Sequence, residues 1–114
     1  MGCVHKYRSN CWEVPAQLLD QELFEPLLHR QAVRIERIVS MGPETLSFQW
    51  DEQSWDEWVV LLQGEAVLEQ ESGKKIALRS GEMVWIPAGC RHRVIDVSAE
   101  PPAIWLAVHI RPEE

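Results

Sequence analysis

Residues 81–92, which carry the strongest signal for the fold class, read Gly-Glu-Met-Val-Trp-Ile-Pro-Ala-Gly-Cys-Arg-His. A glycine opens it, and glycine lets the chain turn with a positive φ before a strand. Four apolar residues follow and end at Pro87, after which Gly89 permits a tight corner. The pattern therefore predicts a short strand over 83–86, a corner, and a second strand over 91–97.

Short β-rich segments separated by glycine and proline turns continue on both sides of this stretch. With the two strands above, the predicted strands cover residues 33–38, 46–50, 58–63, 66–71, 75–78, 83–86, 91–97 and 103–110. Eight short strands at this spacing favour an antiparallel sandwich or barrel, because no room is left for the crossover helices of a parallel sheet.

The residues before 32 have a different pattern. Pro15 suits a first helical turn, and five leucines then recur at roughly helical spacing, at positions 18, 19, 23, 27 and 28. Pro26 is expected to break or kink that segment. The sequence thus predicts an N-terminal arm with a short helical segment over 1–31, followed by a barrel over 32–112.

Composition restricts the classes of function. A chain of 114 residues with 46% hydrophobic and 25% charged residues is typical of one globular domain. Its net charge of −7 argues against nucleic-acid and anionic-membrane partners, which need a cationic surface. No apolar run approaches the length that spans a bilayer. The three cysteines form no C-x-x-C pair, so we expect reduced thiols and a cytoplasmic location.

Two motifs carry a family resemblance. Gly81, Pro87, Gly89 and His92 have the spacing of the second cupin motif, G-x5-P-x-G-x2-H. Glu57, followed by six residues and then a glycine, resembles the closing half of the first cupin motif. The resemblance covers about residues 33 to 110 and implies a small single-domain cupin. Such a protein is a double-stranded β-helix, or jelly-roll barrel, that holds a pocket on its inner face and commonly forms a homodimer.

The same resemblance implies the location of a site. Side chains alternate along a strand, so one face carries His92, Val94 and Asp96, and one face of an earlier strand carries Glu57. In cupins these two faces line the barrel interior, where Glu57 and His92 would meet. The usual first motif also carries His-x-His before the glutamate, and residues 50–53 supply no histidine. A four-ligand site of three histidines and one glutamate therefore does not transfer whole.

One hypothesis is a metal-dependent enzyme that acts on a small molecule. Glu57 and His92 would be two ligands, Gln53 (or Glu52 or Asp51) a third, and His109 on the last strand a fourth. Mixed histidine and carboxylate ligands suit Fe(II), Mn(II), Ni(II) or Zn(II) with positions left open for substrate. Dioxygenation, isomerisation or decarboxylation would follow, with the metal as Lewis acid.

The alternative hypothesis is a metal-free, non-catalytic barrel that binds or senses a small molecule. The missing His-x-His pair favours it, and six tryptophans offer aromatic walls for a pocket. A Glu57–His92 pair could still perform general acid–base chemistry without metal. His92 also has a purely structural interpretation, as a histidine hydrogen-bonded inside the barrel. The sequence leaves open whether turnover occurs.

Overall fold

The computed structural model of the 114-residue chain describes residues 2–113, which contain eight β-strands. The strands are β1 (Leu23–His29), β2 (Val33–Ser40), β3 (Asp56–Gln63), β4 (Glu65–Gln70), β5 (Lys75–Arg79), β6 (Met83–Ile86), β7 (His92–Val97) and β8 (Ala103–Ile110). They form a five-stranded sheet in the order β1-β2-β8-β3-β6 and a three-stranded sheet in the order β5-β4-β7. Every strand pair is antiparallel. The predicted all-β antiparallel architecture is therefore confirmed.

The hydrophobic core lies between the two sheets. Strand β3 shows the alternation that builds it, because Glu57, Val59 and Leu61 are buried while Trp58 and Val60 between them are half-buried. Leu68 on the three-stranded sheet packs into the same cluster. The buried members of the cluster are Leu46, Val59, Leu61, Ala66, Leu68, Leu78, Val97, Ala103, Trp105 and Ala107. Apolar burial fills most of the interior and leaves the polar site toward one end of β3.

The predicted N-terminal helical segment is wrong. Leu23–His29 is a strand that pairs with β2, and a register shift separates Pro26 from Leu28. The leucine spacing imitated a helix, but long-range pairing determines the outcome. Pro26 fits because β1 is an edge strand and needs no ladder hydrogen bond on its outer side. The only helical segment within residues 2–113 is the 3-10 turn Pro43–Thr45.

The predicted strand over 46–50 is also absent. These residues follow the 3-10 turn and have no regular secondary structure, and Phe48 has a positive φ of 59°. A strand would have put Leu46 and Phe48 on one buried face, but only Leu46 is buried and Phe48 is exposed. Strand β1 was not predicted, and it brings the number of strands to eight.

The residues before β1 form an extended arm that is tied to the five-stranded sheet. The hydroxyl of Tyr7 donates to the carbonyl of Leu27 at 2.6 Å. The guanidinium of Arg37 donates to the carbonyls of Cys11 and Glu13 and pairs with the Glu25 carboxylate at 3.1 Å. Arg37 is only 3% exposed, so the arm contributes its carbonyl groups to a buried charge. No helix within residues 2–113 is long and apolar enough to cross a membrane.

Candidate functional site

Three buried polar side chains meet inside the barrel. Glu57 on β3 and His109 on β8 are direct partners in the antiparallel register, which places both on the inner face. His92 begins β7 on the opposite sheet. The Glu57 carboxylate lies between the two rings, 3.8 Å from His92 Nε2 and 3.9 Å from His109 Nε2. The three residues are between 5% and 7% exposed, so water reaches them only through the pocket.

His92 is held by the corner that precedes it. Its Nδ1 lies 2.9 Å from the carbonyl oxygen of Cys90, which can only accept, so Nδ1 is the donor. In the neutral ring, Nε2 then carries a lone pair. Nε2 has no hydrogen-bond partner among the described residues, and Glu57 at 3.8 Å is beyond hydrogen-bond distance. The Pro87–Gly89 turn therefore orients one histidine nitrogen toward the pocket and leaves it free.

His109 differs from His92 because both of its nitrogens have partners. Nδ1 lies 2.9 Å from Gln53 Oε1, and Nε2 lies 3.1 Å from Glu36 Oε1. The amide nitrogen of Gln53 donates in turn to Glu57 at 3.4 Å. Both partners of His109 are acceptors, so a ring N–H on either side has a hydrogen-bond partner. His109 thus links Glu57, Gln53 and Glu36 and has a positioning role.

The loop before β3 is fixed to the corner before β7. Asp51 and His92 exchange two backbone hydrogen bonds, of 2.7 and 3.0 Å. The amide of Gly89 also donates to the carbonyl of Gln53 at 2.8 Å. These contacts hold Gln53 against His109 although residues 52–55 lie outside any strand. The motif of residues 81–92 therefore supplies His92 and also anchors the loop that carries Gln53.

Burial controls the charge of the site. Desolvation raises the pKa of the Glu57 carboxyl above its ordinary value, His109 and His92 oppose the shift, and Glu36 and Asp51 add to it. Desolvation also raises the pKa of Glu22, whose carboxylate accepts a hydrogen bond of 2.6 Å from Ser40. The interior therefore favours a protonated carboxyl more than water does.

The cavity around these groups has a volume of about 150 Å³. It is lined by Glu22, Phe24, Glu36, Ile38, Asp51, Gln53, Glu57, Val59, Leu68, Ile86, His92, Val94 and Trp105. Four of these are carboxylic residues and none is Lys or Arg. Such a lining disfavours an anionic guest and suits an uncharged or cationic one. A cavity of about 150 Å³ accommodates roughly six non-hydrogen atoms, the size of benzene.

The donor groups do not fit a resident transition metal in this arrangement. His92 Nε2 and the Glu57 carboxylate are available, but the nitrogens of His109 contact Gln53 and Glu36. Within the part of the chain that the structure describes, no three His, Cys, Asp or Glu side chains converge to hold a metal ion. A stable site needs at least three convergent protein ligands.

The structure brings together Glu57, His92, Gln53 and His109, the four residues singled out from the sequence. Two alternatives for the third ligand separate: Asp51 lines the cavity, while Glu52 is exposed and faces Arg91 at 4.0 Å. Asp96 is exposed, because a register shift between β4 and β7 reverses the alternation that was expected to turn it inward.

The sequence interpretation missed Glu36 and Glu22. Glu36 and Ile38, two residues apart on β2, share one face of the strand, and this period-two pattern was the available signal. Glu22 lies just before β1, in the segment predicted as helix, and its carboxylate reaches Ser40 on β2. Its position depends on the β1–β2 pairing, which local sequence did not reveal.

Comparison with known proteins places residues 37–109 in the family described as "Cupin domain". A solved structure from Ralstonia eutropha JMP134, a candidate mannose-6-phosphate isomerase by its description, is 37% identical. The match covers 94% of this chain and 100% of the other, with a TM-score of 0.82.

Two more distant structures share the fold alone. A cupin superfamily protein from Desulfitobacterium hafniense DCB-2 is 23% identical, with a TM-score of 0.72 over 87% of this chain and 84% of its own. The Fe(II) form of HppE is 13% identical, with a TM-score of 0.66 over 79% of this chain and 50% of its own. No protein of curated function matches the sequence significantly.

Proposed function

Because the chain belongs to the cupin family, we propose that its barrel binds a small uncharged or cationic organic molecule and transfers a proton on it with Glu57 and His92. One observation carries the proposal. Among residues 2–113, His92 Nε2 has no hydrogen-bond partner, and it lies 3.8 Å from a buried carboxyl whose pKa is raised. A histidine nitrogen with a free lone pair beside a carboxyl whose pKa is raised by burial is the pairing that general acid–base catalysis uses.

The chemistry suits a carbonyl compound with a hydroxyl on the neighbouring carbon. His92 Nε2 accepts the proton from that carbon, and the C–H electron pair forms a carbon–carbon double bond. The carbonyl π pair moves to oxygen, which receives a proton from Glu57 in its acid form. Return of the proton from His92 to the other carbon, with Glu57 recovering a hydroxyl proton, completes an isomerisation. The free nitrogen of His92 and the raised pKa of Glu57 support these two roles.

The relative's name does not transfer directly to this pocket. That protein is described by its name as a candidate isomerase of a phosphorylated sugar. The interior cavity here has four carboxylic residues and no Lys or Arg in its lining, so a phosphate group would meet repulsion there. The shared feature that we propose is the reaction class, isomerisation, acting on the uncharged part of a molecule.

Deuterium uptake from D2O tests the proposal. Dihydroxyacetone has six non-hydrogen atoms and matches the cavity, and NMR follows loss of its carbon-bound hydrogen. We expect the protein to accelerate exchange and His92→Ala or Glu57→Gln to lower the rate by about 10²- to 10⁴-fold. Glu65→Gln, an exposed carboxylate on β4, is the matched control and should leave the rate unchanged.

Two outcomes would overturn the proposal. Wild-type protein that leaves the exchange rate at the buffer value would exclude proton transfer on this class of compound. Equal rates for wild type and both interior variants, with thermal melts showing folded protein, would remove Glu57 and His92 from the reaction.

A metal-dependent enzyme is the second candidate, and one observation favours it. The carbonyl that binds His92 Nδ1 orients Nε2 toward Glu57, as hydrogen bonds commonly orient metal-ligating histidines. Fe, Mn, Ni or Zn would then be held by His92 and Glu57, after Gln53 and His109 moved from their present partners. Elemental analysis of untagged protein tests it: about one metal equivalent per chain, lost in His92→Ala, supports this candidate. Less than about a tenth of an equivalent after metal addition contradicts it.

A homodimer remains a proposal, and the outer face of the five-stranded sheet supports it. Met83 and Trp85 on edge strand β6 are 60% and 55% exposed. They pair across the strands with Val60 and Trp58 on β3, which makes one apolar surface. A second copy of this chain would cover that surface. Analytical ultracentrifugation of wild type and Trp85→Lys tests this, since a dimer should dissociate in the variant and a wild-type monomer would contradict the proposal.

A cytoplasmic location and the absence of nucleic-acid or membrane partners also remain proposals. The three cysteines are free, which supports a reducing compartment. The net charge of −7 supports the partner prediction.

A further inference from the structure

An open cleft of about 690 Å³ gathers positive charge on this acidic protein. It is lined by His29, Arg30, Gln31, Arg34, Trp55 and Arg111. No carboxylic residue belongs to that lining, although the chain has 18 Asp and Glu against 11 Lys and Arg. The concentration of like charge in one place therefore departs from the average surface and needs a physical explanation.

The three arginines have no carboxylate partner among residues 2–113. Arg34 and Arg111 instead lie over the Trp55 ring, 4.8 and 5.8 Å from its centroid. Stacking on an indole ring stabilises a guanidinium and leaves its N–H groups free to donate. The cleft thus presents several unused donors around one aromatic ring.

The fold holds these residues in place. Arg34 lies on β2 opposite His109 on β8, and Arg111 directly follows β8. The backbone amide of Arg111 donates to the carbonyl of Ala32 at 2.9 Å, which joins the end of β8 to the β1–β2 turn that carries Arg30. Trp55 directly precedes β3. Three neighbouring strands therefore fix the backbone at Arg34, Trp55 and Arg111 before any ligand arrives, which lowers the entropic cost of binding.

A third cavity of about 380 Å³ shares lining residues with both the cleft and the interior pocket. That cavity shares His29 and Arg34 with the cleft, and Glu36 and Gln53 with the pocket around Glu57. The lining residues thus change from cationic in the cleft, which includes Arg34, to acidic in the interior pocket. A molecule with an anionic group at one end and an uncharged end at the other matches this change of sign.

We propose that the arginine cleft, defined as Arg30, Arg34, Arg111 and Trp55, binds a phosphate or carboxylate group of a small organic anion. The uncharged end of that molecule enters the barrel and reaches Glu57 and His92, which depends on the function proposed for these two residues. Planar guanidinium groups bind both anions through paired N–H donors, so the cleft alone fits either. The substrate class is then a short phosphorylated or carboxylated hydroxy-carbonyl compound.

The first experiment titrates full-length protein with inorganic phosphate and, separately, with acetate. The indole N–H signal of Trp55, assigned by its loss in Trp55→Phe, reports binding by NMR. We expect a saturable shift that Arg34→Gln and Arg111→Gln weaken about tenfold or more, the effect of losing one charge-assisted hydrogen bond. The matched control is Arg79→Gln, which removes one exposed charge on β5 and should have no effect. The tighter of the two probes identifies the anionic group.

A shift that does not saturate, or that Arg79→Gln weakens as much as Arg34→Gln, would overturn the subsite, since both results describe general attraction of counter-ions.

The second experiment compares dihydroxyacetone with its phosphate. We expect the phosphate to bind at least about tenfold more tightly and to lose this advantage in Arg34→Gln. Equal affinity of the two compounds would overturn the link between cleft and pocket. If the protein binds phosphate at the cleft but does not accelerate deuterium exchange, the anion subsite is supported. The acid–base function of Glu57 and His92 is then contradicted.

Discussion

The interior pocket and the arginine cleft both share lining residues with one intermediate cavity, but the charges of their lining residues are opposite. In the pocket, burial surrounds Glu57 with two histidines and two further acidic residues and raises its pKa. In the cleft, the exposed Arg34 lies over the Trp55 ring and the exposed Arg30 donates to the carbonyl of His29. Desolvation thus sets the acid–base properties of the interior pocket, whereas the exposed guanidinium groups of the cleft select an anionic ligand.

The tryptophans of the two regions should differ most in stability. Trp105 is 4% exposed and forms part of the pocket wall, so Trp105→Ala should lower the free energy of unfolding by about 3 to 5 kcal/mol. Trp55 is half-buried and mainly contacts arginines, so Trp55→Ala should cost about 1 kcal/mol or less. Urea denaturation measures both. Equal losses would show that the cleft is part of the core.

Replacing His109 in the pocket should also lower stability more than replacing His29 in the cleft. His109→Ala removes the donors that face Gln53 and Glu36 in a buried setting, which should destabilise the protein by about 2 to 3 kcal/mol. His29 is exposed in the cleft, and His29→Ala should change stability by about 0.5 kcal/mol at most. Thermal unfolding followed by circular dichroism compares them. A His109→Ala protein as stable as wild type would contradict the positioning role.

Salt should distinguish the two regions by affinity. Raising NaCl from about 0.05 M to about 0.5 M should weaken phosphate binding at the arginine cleft several-fold, because exposed charges are screened. Binding of uncharged dihydroxyacetone in the pocket should stay nearly constant. Isothermal titration at each salt concentration gives both affinities. Parallel salt dependence for the two compounds would mean that they occupy one site.

The pH dependence of stability should give the smallest difference. Because burial raises the pKa of Glu57, the folded protein keeps a proton that the unfolded chain releases between the ordinary and the raised pKa. Stability therefore falls as pH increases through that interval. Glu57→Gln should reduce this fall, with its benefit appearing above the interval, while Glu65→Gln should follow wild type. Melting curves across mildly acidic to neutral pH measure it, and identical profiles for all three proteins would contradict a buried, tuned Glu57.

The sequence predicted the barrel well where local signals and long-range pairing agree. Residues 83–86 form a strand as predicted, and residues 75–79 and 103–110 follow the turns that the glycines and prolines mark. The two failures share a cause. Leu23–His29 resembles a helix and residues 46–50 resemble a strand in local pattern, but pairing with β2 decides which segment joins the sheet.

The candidate site was predictable to the extent that it follows the motif. Spacing within 81–92 indicated His92, and the inner-face argument brought Glu57 to it. The partners of His109 were not predictable, because Glu36 and Gln53 reach it through side-chain orientation and a loop anchored by Gly89. The arginine cleft left no sequence signal at all, since Arg30, Arg34 and Arg111 come from separate segments that only the register assembles.

Deuterium exchange of dihydroxyacetone by chelator-treated protein tests whether Glu57 and His92 transfer a proton inside the barrel without a bound metal, as we propose. Elemental analysis first verifies that less than about a tenth of a metal equivalent remains. We expect chelator-treated protein to exchange deuterium at the rate of untreated protein. We expect His92→Ala to abolish this exchange. A rate that disappears on chelation and returns with Fe(II), Mn(II), Ni(II) or Zn(II) would contradict it and make the site a metal centre.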